Sequence, residues 1–304
     1  MVVGDDRQRG VRSADERQGI YEERGDVAYF TFNRPDQRNC LSMQLSDELV
    51  ETLEHVRRST SVRYLVLSGA GGTFCAGDDL KEMSEGRWGD ANEAFQRVYY
   101  YQRMAYQLEE LDKITIAAVD GFAVGGGLEV TMACDFVIAT ERARWGMPEV
   151  DTGITPGWGG TTRLSRAIGR RRAKEINMIG ALHPARRAVE LDLWNRVVPN
   201  DSLDSAVAEL LDVLRSKNQQ TLRQLKYIID RGIEADLYTA QGFEALSAAY
   251  SFALNGWWRV DDHDQRAGLE GFATKSGAWR ERRPKAIDFW VDDASKGDGA
   301  GASS

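Results

Sequence analysis

The chain has 304 residues, of which 42% are apolar and 28% are charged, so it is neither a wholly disordered protein nor one embedded in a membrane. Its net charge of −8 disfavours a general nucleic-acid-binding role, because a polyanion would have to bind against the overall field of the protein. No run of about 18 apolar residues is present, so the sequence contains no candidate membrane-spanning helix.

Both ends of the chain are poor in apolar residues. Residues 1–18 are rich in Asp, Arg, Gln and Gly and lack the apolar segment of a secretory signal, and residues 295–304 are mostly Gly, Ala and Ser. We expect both segments to be disordered tails. The cysteines are widely spaced and odd in number, which is typical of a protein in a reducing compartment, and we expect it in the cytoplasm.

The first predicted elements follow a β-α-β order. Residues 26–33 form a strand with apolar side chains on both faces, and Asn33-Arg34-Pro35 ends it. After Ser42 apolar residues recur at helical spacing, which predicts an amphipathic helix; they are Leu45, Leu49, Leu53 and Val56. Residues 62–68 are predicted to form a buried strand. A right-handed crossover should connect the two strands.

The alternation continues through the middle of the chain. Residues 81–92 are polar and contain glycines, which predicts a mobile loop, and a helix follows them. Three more elements are predicted around the triple glycine at 125–127: a strand at 114–119, a helix at 128–134 and a strand at 136–139. In the C-terminal third of the chain only helices are predicted.

The triple glycine Gly125-Gly126-Gly127 follows a predicted strand and precedes a predicted helix. Backbone N–H groups at the start of a helix lack intrahelical partners and lie at the positive end of its dipole, so this turn is a candidate anion site. Judged alone, it is equally compatible with a tight turn where a strand and a helix pack closely. A second donor from elsewhere in the chain is needed to decide.

The segment at 75–80, Cys-Ala-Gly-Asp-Asp-Leu, is the candidate for that second donor. It is another small-residue turn after a strand, and the N–H of Asp78 can face the same point as the N–H of Gly126, which would form an oxyanion hole. The alternative is that Ala76-Gly77 is only a turn and that Asp78 and Asp79 cap a helix. The sequence leaves both interpretations open.

Two glutamates are placed near this candidate hole. Glu129 lies in the first turn of the helix that Gly126 opens, and Glu149 follows after one further strand. Two carboxylates beside one anion site can act as general acid and base if burial raises the pKa of at least one of them. Taken singly, each is better explained as a helix-start or surface carboxylate, and only the combination favours catalysis.

In their order and spacing these segments resemble the crotonase superfamily, with enoyl-CoA hydratase as the closest member type. The resemblance extends from about Val27 to Lys275. Its motifs are Ala76-Gly77-Asp78-Asp79-Leu80, Gly125-Gly126-Gly127-Leu128-Glu129, Pro148-Glu149 and Pro156-Gly157-Trp158-Gly159-Gly160-Thr161, with Asn33-Arg34-Pro35, Arg38-Asn39 and Asn195-Arg196-Val197-Val198-Pro199 in support.

The resemblance implies an α/β protein with the crotonase (ClpP-like) fold, in which repeated β-β-α units form two sheets wrapped by helices and a helical trimerisation domain follows. We therefore expect a core domain at 19–200 that holds the CoA and catalytic sites, and a helical trimerisation domain at 201–294. Crotonase-like proteins usually assemble as trimers or as dimers of trimers, so a homotrimer or homohexamer is expected.

The resemblance also implies roles for the catalytic residues. The N–H groups of Asp78 and Gly126 would polarise a thioester carbonyl and stabilise an enolate. Glu149 would exchange the proton at C2 and Glu129 would activate water at C3. Water would then add in syn fashion across the C2=C3 double bond of a 2-enoyl-CoA.

Further residues would position the water and the substrate. Gly157 would help to position the water through its backbone N–H, and Trp158 would either line the acyl pocket or pack beneath the turn. Arg38 would lie close to the CoA phosphates and Leu41 near the adenine. The expected substrate- and CoA-binding residues are Arg38, Leu41, Ala76, Asp79, Leu80, Trp158, Phe272 and Lys275, of which the last two would reach the CoA of a neighbouring subunit. Because CoA is part of the substrate, no separate cofactor is expected.

Two alternative functions stay open at the level of sequence. Another crotonase reaction, such as double-bond isomerisation, decarboxylation or C–C hydrolysis, would use the same oxyanion hole. The second alternative is a non-catalytic homologue that binds RNA. The acidic net charge and the presence of both glutamates, Glu129 and Glu149, argue against it. His55, His183 and His263 form no ligand-spaced cluster, so no metal is expected. Neither nucleic acid nor a membrane is an expected partner.

Overall fold

The structure is a computed structural model that describes residues 17–86 and 88–254. It divides into two compact units with the boundary between Leu203 and Asp204, close to the predicted one after residue 200. The predicted disordered tail at 1–18 extends one residue too far, because Gln18 is hydrogen-bonded to the fold. Its N–H donates to Glu48 Oε2 (3.0 Å), and its carbonyl accepts from the Asn33 N–H (2.7 Å). Residues 1–16 and the predicted tail at 295–304 lie outside the described residues.

The first unit alternates strands and helices, which confirms the predicted α/β class. The strands are β1 (Gly19–Arg24), β2 (Val27–Phe32), β3 (Tyr64–Gly69), β4 (Ile114–Val119), β5 (Phe122–Val124), β6 (Phe136–Thr140), β7 (Arg144–Gly146), β8 (His183–Pro184) and β9 (Arg196–Val198). The α-helices of the described chain are α1 (Met43–Arg58), α2 (Leu80–Ser84), α3 (Ala91–Glu109), α4 (Gly126–Met132), α5 (Thr162–Ile179), α6 (Ala185–Glu190), α7 (Leu203–Arg215), α8 (Gln219–Gly232) and α9 (Leu237–Leu254).

The strands form two sheets. The larger has the order β1-β2-β3-β4-β6-β9, in which β1 is antiparallel to β2 and all other neighbours are parallel. Strand β4 is buried along its whole length and β3 along most of it, as expected for parallel strands covered on both faces. The smaller sheet has the order β5-β7-β8 and carries the strand that precedes the triple glycine.

The helix predicted after Ser42 is confirmed as α1. The Ser42 hydroxyl accepts a hydrogen bond from the Leu45 N–H (3.1 Å), which caps the first turn. The apolar residues whose spacing predicted the helix are all at most 2% exposed: Leu45, Leu49, Leu53 and Val56. Full burial of one such side chain contributes about 1.5–3 kcal/mol, so this face holds α1 against β1 and β2.

The predicted loop at 81–92 is wrong at both ends. Helix α2 begins after Asp79, whose carboxylate accepts hydrogen bonds from two N–H groups of the first turn (3.1 and 3.2 Å). Helix α3 begins after Asp90, which forms a capping box with Glu93. The polar residues that suggested a loop are in part the caps of two helices.

The described part of the second unit, residues 204–254, is helical. Helices α8 and α9 pack against each other. Several large apolar side chains of this unit are exposed on the single chain: Leu225, Ile229, Ile233, Leu237 and Tyr238. Trimerisation through this unit stays a prediction. No helix of the described chain is both long enough and apolar enough to cross a membrane.

The start of α4 contacts the turn after β3 through backbone atoms. Cys75 pairs with β5, since its N–H donates to the Phe122 carbonyl (2.8 Å) and its carbonyl accepts from the Val124 N–H (3.0 Å). Gly127 then lies so close that a Cβ there would be 2.2 Å from the Cys75 carbonyl oxygen. Any side chain at this position would push the turn and the helix apart.

We predict that Gly127→Ala lowers the free energy of unfolding by about 2 kcal/mol or more, because overpacking typically costs about 1–3 kcal/mol and here the obstacle is backbone. Gly242→Ala in α9 is the matched control. A Cβ at Gly242 meets no atom within 4 Å, and alanine in a helix is favoured over glycine by about 1 kcal/mol. Urea unfolding measures both variants. Wild-type stability for Gly127→Ala would contradict the close approach.

Candidate functional site

The glycine turn before α4 has a backbone shape that requires glycine. Gly125 adopts φ 54° and ψ −125°, a conformation that residues with a side chain rarely adopt. Its N–H donates to the Gly146 carbonyl of β7 (2.9 Å). The chain then enters α4 at Gly126, whose N–H has no intrahelical partner because it belongs to the first turn.

The turn at Gly77 lies directly against this glycine turn. The Leu41 N–H donates to the Gly77 carbonyl (2.8 Å), and Leu41 forms a parallel bridge with Asp78. A Cβ on Gly77 would be 3.3 Å from the Gly126 nitrogen, and a Cβ on Gly126 would be 3.7 Å from the Asp78 nitrogen. The structure therefore brings the two predicted bends together. Within the described chain neither the Asp78 N–H nor the Gly126 N–H donates to another group.

Glu129 is buried and held by two backbone donors. It is 1% exposed, and its Oε1 accepts hydrogen bonds from the N–H groups of Trp158 (2.8 Å) and Gly160 (2.7 Å). Burial raises the pKa of Glu129, while the two hydrogen bonds act in the opposite direction. The carboxylate is thus fixed in place by groups that favour its ionised form.

Glu149 lies over the same glycine turn. It belongs to the 3-10 helix Pro148–Thr152, and a Cβ on Gly125 would be 2.9 Å from its Oε1. Its Oε2 is buried and has no hydrogen-bond partner in the described chain. Burial, and secondarily the charge of Glu129, raise the pKa of Glu149 to about 7. A carboxyl with such a pKa can hold or release a proton near neutral pH.

The side chain of Asp78 is a third carboxyl at this site, where the sequence pattern predicts either a backbone donor or a helix cap. Its Oδ1 is buried without a partner in the described chain, and it would be 3.6 Å from a Cβ on Gly126. Burial, followed by the charges of Glu129 and Glu149, raises the pKa of Asp78 to about 8. The signal was the pair of consecutive aspartates, of which Asp79 proves to be the helix cap.

The turn that begins at Gly157 packs against α3. A Cβ on Gly157 would be 3.1 Å from Val98 Cγ1. Trp158 is 2% exposed, and its ring centroid lies 5.5 Å from that of Tyr101. Trp158 therefore packs beneath the turn, and its part in an acyl pocket stays a prediction. Glu129 binds the N–H of Trp158 and not that of Gly157, so the role of Gly157 in holding water also stays a prediction.

Two of the expected CoA-binding residues have buried side chains. Asp79 is 8% exposed and its carboxylate pairs with Arg34 (2.8 Å), so this side chain supports the local fold. Leu41 is 3% exposed, and its Cδ1 would be 3.3 Å from a Cβ on Gly126. The Leu41 side chain thus lies beside the glycine turn, and its contact with adenine stays a prediction.

The other expected CoA-binding residues have less buried environments or lie outside the described residues. Arg38 is exposed, with its guanidinium carbon 5.6 Å from the centroid of the Phe122 ring, and its carbonyl accepts from the Ala76 N–H (3.0 Å). Leu80 is 50% exposed. Phe272 and Lys275 lie outside the described residues.

The remaining candidate features do not add to this site. Among the described residues no group of three or more His, Cys, Asp and Glu side chains is arranged to hold a metal ion. A surface cavity of about 570 Å³ contains none of the predicted site residues; it is lined by Glu141, Arg144, His183, Pro184, Arg186, Arg187 and Glu190. The candidate chemistry therefore lies at the two glycine turns.

Known proteins resemble this chain over most of its length. A family model described as enoyl-CoA hydratase/isomerase matches residues 22–277. The short-chain-enoyl-CoA hydratase of Clostridium acetobutylicum is 35% identical over 84% of this chain and 94% of its own length. The crotonyl-CoA hydratase of Syntrophomonas wolfei is 34% identical over 85% and 96%. The crystal structure of enoyl-CoA hydratase from Bacillus anthracis has a TM-score of 0.76 at 33% identity and covers 85% of this chain and 97% of its own.

We predict that Glu129→Gln stabilises the fold increasingly as the pH rises above about 4.5, the ordinary pKa of a glutamate side chain. Burial raises the pKa of Glu129, so the folded chain binds this proton more tightly than the unfolded chain and loses stability as the pH rises. Glutamine has no such proton and keeps an oxygen acceptor. The difference in Tm between variant and wild type, measured by calorimetry, should be larger at the higher pH.

Glu54→Gln is the control for this measurement. Glu54 pairs with Arg57 and Arg58 on the exposed face of α1, and these partners lower the pKa of Glu54. Its removal should give no gain in Tm at the higher pH. A gain for Glu129→Gln that did not change with pH would show that the ionisation of Glu129 does not destabilise the fold.

Proposed function

The chain belongs to the enoyl-CoA hydratase/isomerase family, which confirms the resemblance and the crotonase fold predicted from its motifs, and we propose that it is an enoyl-CoA hydratase. In this reaction water adds in syn fashion across the C2=C3 double bond of a 2-enoyl-CoA and gives a 3-hydroxyacyl-CoA, so the enzyme is a hydro-lyase. The observation that carries the proposal is the pair of glutamates at the glycine turn: Glu149 lies over the turn, and Glu129 lies in the helix that the turn opens. The same turn supplies an amide donor that has no partner in the described chain.

The two amide donors support the first part of the mechanism. The N–H groups of Asp78 and Gly126 would bind the thioester carbonyl oxygen and draw electrons away from C3. As water adds at C3, negative charge develops on that oxygen and an enolate forms. Preorganised amide donors stabilise such a charge by about 3 kcal/mol each, because they need no reorientation as the charge appears.

The environments of the two glutamates support a division of the proton transfers. Glu129 accepts two backbone hydrogen bonds that favour its ionised form, so it would take a proton from water as the O–C3 bond forms. One oxygen of Glu149 has no partner in the described chain, and burial raises the pKa of Glu149 to about 7, so this residue would hold a proton and deliver it to C2. Each turnover leaves Glu129 protonated and Glu149 ionised, and exchange with solvent restores the starting state.

The substrate and the assembly are further parts of the proposal. The relatives named short-chain-enoyl-CoA hydratase and crotonyl-CoA hydratase favour a short acyl chain, so crotonyl-CoA is the first substrate to test. CoA would enter as part of the substrate, with Arg38 near its phosphates and no separate cofactor. We also propose a homotrimer or homohexamer in the cytoplasm, in which Phe272 and Lys275 reach a neighbouring subunit, and a role in fatty acid metabolism.

Double-bond isomerisation is the second candidate, because the description of the matched family names it. Isomerisation moves a proton between C2 and C4 and consumes no water, so it does not need a base at C3. The two backbone donors that fix Glu129 favour hydration, since they hold a second carboxylate ready beside Glu149.

We predict that Glu129→Gln and Glu149→Gln each lower kcat for hydration of crotonyl-CoA by about 10²–10⁴, the usual contribution of general acid–base catalysis. KM should change much less, because both variants keep the size of the side chain. Loss of the enoyl absorbance measures the rate, and Glu54→Gln should keep wild-type kcat. Wild-type kcat in either site variant would contradict the proposal. If the Glu129→Gln variant loses hydration but still isomerises a 3-enoyl-CoA, isomerisation needs Glu149 alone.

We predict opposite pH dependences for the two directions of the reaction at about pH 7. Hydration needs the proton on Glu149, whose pKa is raised to about 7, so its kcat/KM should fall as the pH rises through that value. Dehydration of 3-hydroxybutyryl-CoA needs Glu149 ionised, so its kcat/KM should rise through the same value. Rates in both directions between about pH 5.5 and pH 9 provide the test. Parallel pH profiles would remove Glu149 from the role of acid.

A further inference from the structure

The carboxyl of Asp78 has a buried oxygen, Oδ1, that the two-glutamate mechanism leaves unused. We infer that the Asp78 side chain is a neutral carboxylic acid that donates a third hydrogen bond to the thioester oxygen as the enolate forms. This inference rests on the proposed function and adds a catalytic side chain to it. The same residue would then serve the oxyanion twice, once through its backbone N–H and once through its side chain.

The position of Oδ1 is the geometric basis of this inference. A Cβ on Gly126 would be 3.6 Å from Asp78 Oδ1 and 3.7 Å from the Asp78 nitrogen, so the carboxyl oxygen and the amide lie at nearly the same distance from Gly126. Both atoms of Asp78 therefore lie beside Gly126, which supplies the other amide of the proposed hole. No group of the described chain bonds to Oδ1, although it is buried. A buried polar atom without a partner costs about 1–3 kcal/mol, which a bound substrate oxygen would offset.

The charges around Asp78 favour its neutral form. Three titratable groups face it: Glu129 on α4, Glu149 on the 3-10 helix, and the thiol of Cys75 on the same segment as Asp78. Burial raises the pKa of the Cys75 thiol, so that group stays protonated and neutral. Arg34, on the segment before Leu41, pairs with Asp79 instead. An ionised Asp78 would thus add a negative charge beside the two glutamates and the developing enolate.

Only the protonated carboxyl can stabilise an enolate. An ionised carboxylate has no hydrogen to donate, whereas the neutral acid has one O–H donor. Burial and the two glutamates raise the pKa of Asp78 to about 8, so the donor form is present at neutral pH. A carboxylic acid kept neutral by its surroundings is an established type of oxyanion donor. No proton is transferred in this step, so the balance of the hydration reaction is unchanged.

Dehydration of 3-hydroxybutyryl-CoA separates Asp78 from Glu149, because the two groups act on opposite limbs of the pH profile. There the rate rises as Glu149 loses its proton and should fall again as Asp78 and Glu129 lose theirs, since Glu129 must give a proton to the departing hydroxyl. We predict a bell-shaped kcat/KM profile for the wild type, with limbs near pH 7 and pH 8. Asp78→Asn keeps a neutral donor of the same size that does not titrate, so its alkaline limb should begin at a higher pH and retain only the contribution of Glu129. An unchanged alkaline limb in Asp78→Asn would overturn the inference.

The rates of two variants provide a second test. Asp78→Ala removes the donor and should lower kcat about a hundredfold with little change in KM, as expected when a contact acts mainly in the transition state. Asp78→Asn should keep kcat within about fivefold of the wild type. Asp151→Asn is the control, because Asp151 is an exposed carboxylate two residues from Glu149. Equal kcat for Asp78→Ala and wild type would contradict the inference. If Asp78→Ala does not fold, the pH profile of kcat/KM for Asp78→Asn decides.

A readout without turnover separates this inference from the proposed function. Acetoacetyl-CoA forms an enolate with a near-ultraviolet absorbance, and oxyanion donors should increase the bound enolate fraction. We expect a strong enolate band with wild type and Asp78→Asn and a weak one with Asp78→Ala. Equal bands for all three would overturn the third donor, whatever the hydratase assay shows. A wild type that forms the enolate but hydrates no enoyl-CoA would instead contradict the proposed function alone.

Discussion

The backbone contact between Gly77 and Gly126 is the constraint on which the site depends. A Cβ on Gly77 would be 3.3 Å from the Gly126 nitrogen, and a Cβ on Gly127 would be 2.2 Å from the Cys75 carbonyl oxygen, so the two turns meet only because these positions lack side chains. The pairing of Cys75 with β5 fixes the distance between them. Two amide donors from distant parts of the sequence can then reach one oxygen atom. The proposed enolate chemistry follows from this contact, because an oxyanion hole needs donors that are already in place.

Placing three carboxyls with buried oxygens around that contact makes the site both reactive and costly. Each group is placed in a different environment: Glu129 accepts two backbone hydrogen bonds, whereas Glu149 and Asp78 each keep a buried oxygen without a partner in the described chain. These differences separate their proton affinities, which is how neighbouring acids acquire different roles. The unsatisfied oxygens cost stability, and functional sites are where folded proteins commonly accept such costs. The surrounding core, with the fully buried side chains of Trp145 and Trp158, offsets them.

The parts predictable from sequence are those encoded by local pattern. The strands later seen as β2, β3 and β4 were predicted because each is a run of apolar residues, and α1 because its apolar spacing and its Ser42 cap agree. Short strands such as β5, β7 and β8 span only two or three residues, too few for a periodic signal. Strand β1 is mostly polar and exposed, so it carries no apolar run. The segment at 81–92 has the composition of a loop because helix caps and loop residues are of the same polar types.

The candidate site shows the same division between local and distant information. The glycine turns and both glutamates could be identified from motif order, but their meeting point joins segments about 50 residues apart and needed the three-dimensional structure. The sequence also could not show which of two adjacent aspartates caps a helix and which faces the glycine turn. The sequence pattern therefore predicts a backbone donor or a helix cap at Asp78, and not a carboxyl beside the glycine turn.

The most direct measurement of the central claim is the infrared carbonyl stretch of bound butyryl-CoA labelled with carbon-13 at the thioester carbon. This saturated acyl-CoA has no C2=C3 bond to hydrate, so it reports the ground-state contact alone. If the amides of Asp78 and Gly126 converge on the carbonyl oxygen, the stretch should move to a clearly lower frequency on binding. A bound carbonyl with the frequency of free butyryl-CoA in water would contradict the account.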